Sequence, residues 1–236
     1  MMSSHSPGEE EFLKNYDASL YERISVAVDL LTFTVEDDCL KILMVRRGEH
    51  PFEGCLALPG VFVGRGETLD EAAMRGVLEE TGLSGIYYEQ LYTWGDPDRD
   101  PRTRVISVSY MNLVSRDQLS FRAGRRTTEA VLLPVRELLD SGEEIAFDHR
   151  RIIEYALWRL RNKVEYTDIA FHLVPEEFTL PELQRVYEII LGRPLFKANF
   201  RKKVAPMIEE TDRYTAGEAH RPSRYYRRRE NETRAL

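Results

Sequence analysis

The stretch from Gly60 to Leu83 constrains this chain more than any other, because a glycine-rich loop (Gly60, Gly64, Gly66) runs directly into a segment that reads only as a helix. In GETLDEAAMRGVLEETGL, residues 66–83, Thr68 and Glu71 have the spacing of a capping box, and Leu69, Ala73 and Val77 recur as an apolar stripe. Gly82 supplies the left-handed residue that ends such a helix. The other face carries Arg75, Glu79 and Glu80, with Glu67 in the loop before the first turn. Carboxylates and a guanidinium beside small residues suit Mg²⁺ shared with substrate phosphates, since that ion takes hard oxygen ligands and glycine lets backbone approach an anion. From the cluster alone, a solvated acidic face fits equally well.

Around this helix, ISVAVDLLTFTV (24–35) and LKILMVRR (40–47) read as strands joined by the acidic turn Glu36-Asp37-Asp38. TRVISVSYMNLV (103–114) and EAVLLPV (129–135) add two more, and Pro134 suits the first turn of a short helix through Leu139. Asp148 reads as the N-cap of a helix with Ile152, Ile153, Ala156, Leu157 and Leu160 on one face. Residues 1–16 are polar and read as frayed. The mixed order implies an α+β class, an α/β/α sandwich on a mixed sheet. The polar NKVEYTD (162–168) marks a junction, dividing the chain into residues 1–164 and 165–236.

A glycine, then Glu67, Arg75, the Glu79-Glu80 pair, Gly82 and Leu83 resembles the Nudix box, with Leu58-Pro59-Gly60 resembling the approach to it. The resemblance implies catalytic roles for Glu79, Glu80 and Arg75, and Mg²⁺ held by Glu67, Glu79 and Glu80. Two positions depart from it: Val61 stands where the box opens with glycine, and Gly76 where a glutamate follows the arginine. One turn before residues 79 and 80, a glutamate at 76 is expected to point into the same volume and complete a carboxylate triad. The sequence offers no packing reason for a glycine that costs about 0.5–1 kcal/mol relative to alanine inside a helix. Gly60, Arg46, Phe62, Arg102 and Arg104 are the expected ligand contacts, with Arg47, Phe52 and Trp94 as further arginine or ring candidates. For each, a surface or core role competes.

Beyond the junction, FTLPELQRVYEIILGRP places a second capping box at Thr179 and Glu182 before an apolar face of Leu183, Val186, Tyr187, Ile190 and Leu191. LFKANFRKKV follows at once, with Phe196, Phe200 and Val204 expected inward and Lys197, Asn199, Arg201, Lys202 and Lys203 outward. Helix, turn, basic helix, then the basic strand RPSRYYRRR with Arg221, Ser223 and Arg224, has the form of a winged helix-turn-helix. Charge separates the same way: residues 195–236 hold 11 Lys/Arg against 6 Asp/Glu in a chain of net charge −7. That asymmetry favours DNA over the competing reading, a helical add-on used for dimerisation.

The whole plan resembles the Nudix-related transcriptional regulators, the NrtR family. The resemblance implies a homodimeric repressor of NAD metabolism genes, released from DNA by ADP-ribose or a related nucleotide or sugar. The alternative is a Mg²⁺-dependent hydrolase of ADP-ribose or another nucleoside diphosphate derivative. Cys39 and Cys55 lack the spacing of a zinc site or a disulfide framework. No run of about 20 apolar residues and no leader is present, so a cytoplasmic protein without a membrane span is expected.

Overall fold

The computed structural model describes residues 6–121, 127–216 and 222–229. The first described element is helix α1 (Pro7–Asn15), within the segment expected to fray, and Ser6 caps it by accepting from the Glu9 amide. Strands β1 (Ser25–Glu36) and β2 (Cys39–Arg47) then form a hairpin whose turn residues Asp37 and Asp38 both have positive φ. Short strands β3 (Leu56–Ala57) and β4 (Gly60–Phe62) precede helix α2 (Leu69–Thr81). Strands β5 (Tyr87–Trp94), β6 (Val105–Leu113) and β7 (Thr127–Pro134) complete the sheet, and α3 (Val135–Asp140) and α4 (His149–Lys163) follow.

The main path of the sheet is β3-β2-β1-β6-β5, with β4 paired to β1 and β7 to β2; β1 and β6 are parallel and the other pairs antiparallel. Alternation along β1 sends Val28 and Leu30 to a cluster with Ala73 and Val77 of α2, and Leu31 and Phe33 to a larger core with Ile152, Ile153 and Leu160 of α4. Helices thus cover both faces of a mixed sheet. β5 is absent from the sequence reading because it is a mostly exposed strand, with only Leu91 and Trp94 buried.

The second unit comprises β8 (Glu177–Thr179), α5 (Leu180–Leu191), α6 (Lys197–Val204), β9 (Ile208–Tyr214) and β10 (Arg224–Arg228), in a three-stranded sheet ordered β8-β10-β9. Thr179 and Glu182 form their capping box, and Gly192 takes φ 67° to end α5 before the turn into α6. Tyr187 and Phe200 meet edge to face at 5.3 Å, fixing α6 on α5. The larger core continues across the junction through Phe171, Phe178, Tyr187 and Val204, so no solvent layer separates the two units.

Candidate functional site

Helix α2 forms as its sequence requires: both arms of the Thr68–Glu71 capping box are made, and Gly82 caps the C-terminus at φ 70°. Its basic residue works as a staple. Arg75 Nε and Nη2 donate to the two oxygens of Glu67 at 2.7 and 3.0 Å, Nη2 also donates to the Phe62 carbonyl at 3.0 Å, and Nη1 reaches Glu79 at 3.3 Å. Glu67 further accepts from the Gly64 amide at 2.8 Å. The Arg75 guanidinium, then that amide, hold the Glu67 carboxyl at a pKa of about 2. Both its oxygens are committed to ordering the loop. The Glu80 side chain lies outside the described residues. Among the described residues no three acidic, His or Cys side chains are arranged to hold a metal ion, and Glu67 is occupied by Arg75 and the Gly64 amide.

Position 76 lies on the buried side of α2. A Cβ built on Gly76 would stand 2.8 Å from Leu30 Cδ1 and 3.3 and 3.4 Å from the γ-methyls of Val61, inside the apolar layer under α2. The space around the glycine is therefore tight on its apolar side. Gly60 is likewise structural, since a Cβ there would lie 2.9 Å from Asp29 Oδ1 and 3.0 Å from the Val28 carbonyl.

Of the expected ligand contacts, the structure brings Phe62 and Arg102 together, the guanidinium carbon lying 6.0 Å from the ring centroid. Phe147 joins them, 5.7 Å from Arg102 and 4.9 Å from Arg47, and Phe52 meets Phe147 edge to face at 4.9 Å. Phe52 and Phe147 hold φ 61° and 58°, a region that ring-bearing residues enter only when their surroundings impose it. Burial and then the neighbouring Arg102 charge lower the Arg47 pKa, and its side chain bonds to the carbonyls of Pro51 at 2.7 Å and Glu49 at 3.3 Å. Arg102 is itself paired with Asp100, through Nε at 3.0 Å and Nη2 at 2.7 Å, so both guanidiniums of this ring cluster already have protein partners.

Two further candidates are engaged elsewhere, and a third keeps an unpartnered nitrogen. Arg46 turns to Glu129, Glu143 and the Gly54 carbonyl. Trp94 is buried, donating to Ser109 at 3.0 Å. Arg104 is half-buried and its Nη1 has no partner among the described residues.

A buried polar network adjoins this cluster, with His149 5.2 Å from Phe147. Arg99 donates to Asp148 at 2.7 and 3.0 Å and to Asp29 at 3.3 Å, and Asp29 accepts from Ser107 at 2.5 Å. Asp148 therefore makes no side-chain cap on α4, contrary to expectation; its carboxylate is engaged by Arg99. His149 Nδ1 accepts from the Leu58 amide at 2.9 Å, and burial lowers its pKa, so the neutral ring faces Asp29 at 3.7 Å.

On the second unit, Lys197, Asn199, Arg201 and Lys202 are exposed on α6, and no carboxylate pairs with the three cations among the described residues. Lys203 turns inward instead, donating to the Val164 carbonyl at 3.1 Å and standing 4.9 Å over the Tyr187 ring. Phe196, expected inside, is 82% exposed. Arg224 pairs with Glu210 and the Tyr214 hydroxyl, and Ser223 closes the base of the wing with Thr215 at 3.0 Å. Arg221 lies outside the described residues.

Fold and box together define a Nudix-type domain carrying an appended winged helix. Family models agree: one for the NUDIX domain matches residues 24–156, and one for the NrtR DNA-binding winged helix domain matches residues 170–228. The chain is 37% identical, over 93% of its length and 88% of the relative, to the ADPR responsive transcriptional repressor NtrR of Acinetobacter baylyi. It superposes on the crystal structure of Shewanella oneidensis NrtR complexed with a 27mer DNA with TM-score 0.78 and 34% identity, covering 86% of this chain and 93% of that one. It is also 41% identical, over 62% of its length and 80% of the relative, to the ADP-ribose pyrophosphatase of Methanocaldococcus jannaschii. The chain belongs to the NrtR family of Nudix-related transcriptional regulators.

Proposed function

We propose that this chain is a transcriptional regulator that binds ADP-ribose, or a related nucleotide or sugar, in its Nudix domain and DNA through its winged helix. It acts as a homodimeric, cytoplasmic repressor of NAD metabolism genes. The observation that carries this reading is the exposed cationic face of α6, without carboxylate partners among the described residues, on a winged helix packed directly against a Nudix domain. The Arg47–Phe147–Arg102 cluster supports a diphosphate attached to a base. Apolar side chains left exposed by α1 and the segment after it, Phe12, Leu13, Tyr16, Leu20 and Tyr21, support a dimer contact. No helix among the described residues is long and apolar enough to cross a membrane.

The test is a gel shift of the DNA upstream of the protein's own gene, titrated with ADP-ribose, NAD and common pentoses. Sequence-specific binding reversed by one of them supports the proposal; binding no stronger than to random DNA at moderate salt ends it. A second reading, hydrolysis of ADP-ribose, draws on the retained Arg75 and Glu79 and on the pyrophosphatase relative. Incubation with Mg²⁺ and ADP-ribose decides it, and no release of AMP retires it.

A further inference from the structure

We propose that Val61 and Gly76, the two departures from the Nudix box, are a single linked exchange that plugs the position of the missing carboxylate with hydrocarbon. This rests on the reading of residues 60–83 as such a box. Val61 pairs with Val28 across β4 and β1, so its side chain shares the α2-facing layer with Leu30. The two γ-methyls of Val61 and the δ-methyl of Leu30 surround the point from which a residue-76 side chain would leave the helix, at 3.3, 3.4 and 2.8 Å. The Leu30 tip is the nearest atom and belongs to a flexible side chain, but Leu30 is 1% exposed and Val61 packs against the same cluster, occupying space beside it. With glycine at 61, that space opens and Leu30 can yield. Valine at 61 thus demands glycine at 76. Loss of the carboxylate is fixed by packing, and one substitution does not restore it.

A stability cycle on the full chain tests the linkage without any ligand: wild type, Val61→Gly, Gly76→Ala and the double variant, compared by thermal midpoint. Inside an ordinary helix Gly→Ala stabilises. Here Gly76→Ala lowers the midpoint, by about 2–10 °C for a strained insertion in a chain of this size. In the Val61→Gly background the same change leaves it unmoved or raises it. An unchanged or raised midpoint for Gly76→Ala alone, or an equal fall in both backgrounds, overturns the linkage. As a second readout, calorimetric titration with Mn²⁺ alone compares Gly76→Glu with Val61→Gly/Gly76→Glu, and at least tenfold tighter binding is expected in the double variant. Equal affinities overturn the plug. ADP-ribose binding by the wild-type protein reports separately on the box itself.

A different observation carries a second inference: the structure assigns Phe196 to reading thymine. It is the N-cap residue of α6, 82% exposed, and is followed by Lys197, Arg201 and Lys202, which have no carboxylate partner among the described residues. Cations of this kind seat a helix against phosphates, and the first residues of a recognition helix meet base edges. A bare ring there suits the thymine methyl, the one apolar group on a base edge in the major groove. The inference rests on the DNA-binding reading. The probe is a duplex selected by the wild-type protein from a random pool, made with thymine or with deoxyuracil. The deoxyuracil duplex is expected to bind wild type at least fivefold more weakly and Phe196→Ala no more weakly than the thymine duplex. Equal sensitivity in both proteins, or none in wild type, overturns it; failure to select any duplex overturns the DNA reading instead.

Discussion

Arg46 and Arg47 are neighbours on β2 and do different work, because alternate strand residues project to opposite sides. Arg46 is held by two glutamates and a carbonyl, whereas Arg47 stands over Phe147. Arg102→Ala or Phe147→Ala is expected to weaken ADP-ribose binding by about 1–2 kcal/mol, the worth of a partly desolvated cation–π contact. Arg46→Ala should leave it unchanged, and calorimetry distinguishes the two results. Beside this cluster, Arg99 neutralises two carboxylates while only 5% of its side chain is exposed. Arg99→Ala strands Asp29 and Asp148 as uncompensated charges, so a loss of about 3–5 kcal/mol in unfolding free energy is expected by urea titration. None of this network shows in the sequence, where Asp148 reads as a local cap and Asp29 as one polar residue in an apolar strand. Their partners arrive from residues 99, 107 and 149, and no local pattern announces them.

Among elements, α2 and α5 were legible because capping boxes, apolar stripes and terminal glycines are local signals that the chain carries in order. Phe196 and Lys203 of α6 were misread because eight residues of helix do not define which way its ends face; that depends on Val164 and Tyr187 of neighbouring elements. The seam between the units contains a titratable group of the same kind. His172 stacks on Tyr87 of β5 at 4.3 Å and faces Arg228 of β10 at 3.2 Å. Burial, then the Arg228 charge, lower its pKa from 6.5 to about 4. An unfolded chain takes up this proton at higher pH than the folded one, so the contribution is intact above pH 6.5 and is lost as pH falls toward 4. Wild type is expected to lose about 1–3 kcal/mol more than His172→Gln across that window. Parallel pH curves for the two proteins in urea unfolding would contradict the assignment.

At the scale of the molecule, a single core runs from the sheet through α4 into the winged helix. Polar contacts reinforce it: Arg161 donates to the Ile190 carbonyl at 3.3 Å, Lys203 to Val164 at 3.1 Å, and Arg185 reaches Asp38 of the β1–β2 turn at 2.7 Å. Asp148 and His149 lie beside the Arg47–Phe147 cluster at one end of α4, and the Val164 carbonyl at the other end accepts from Lys203 of α6. An effector that repositions the first end therefore has a rigid element through which to bias the second. Binding linkage makes this testable in both directions, because an effector that weakens DNA affinity by some factor must itself bind the DNA complex more weakly by the same factor. The decisive measurement is the ADP-ribose dissociation constant with and without a saturating operator duplex, set against the operator constant with and without saturating ADP-ribose. Linkage between the two domains predicts equal factors of about fivefold or more. ADP-ribose binding that leaves the operator affinity untouched would contradict it.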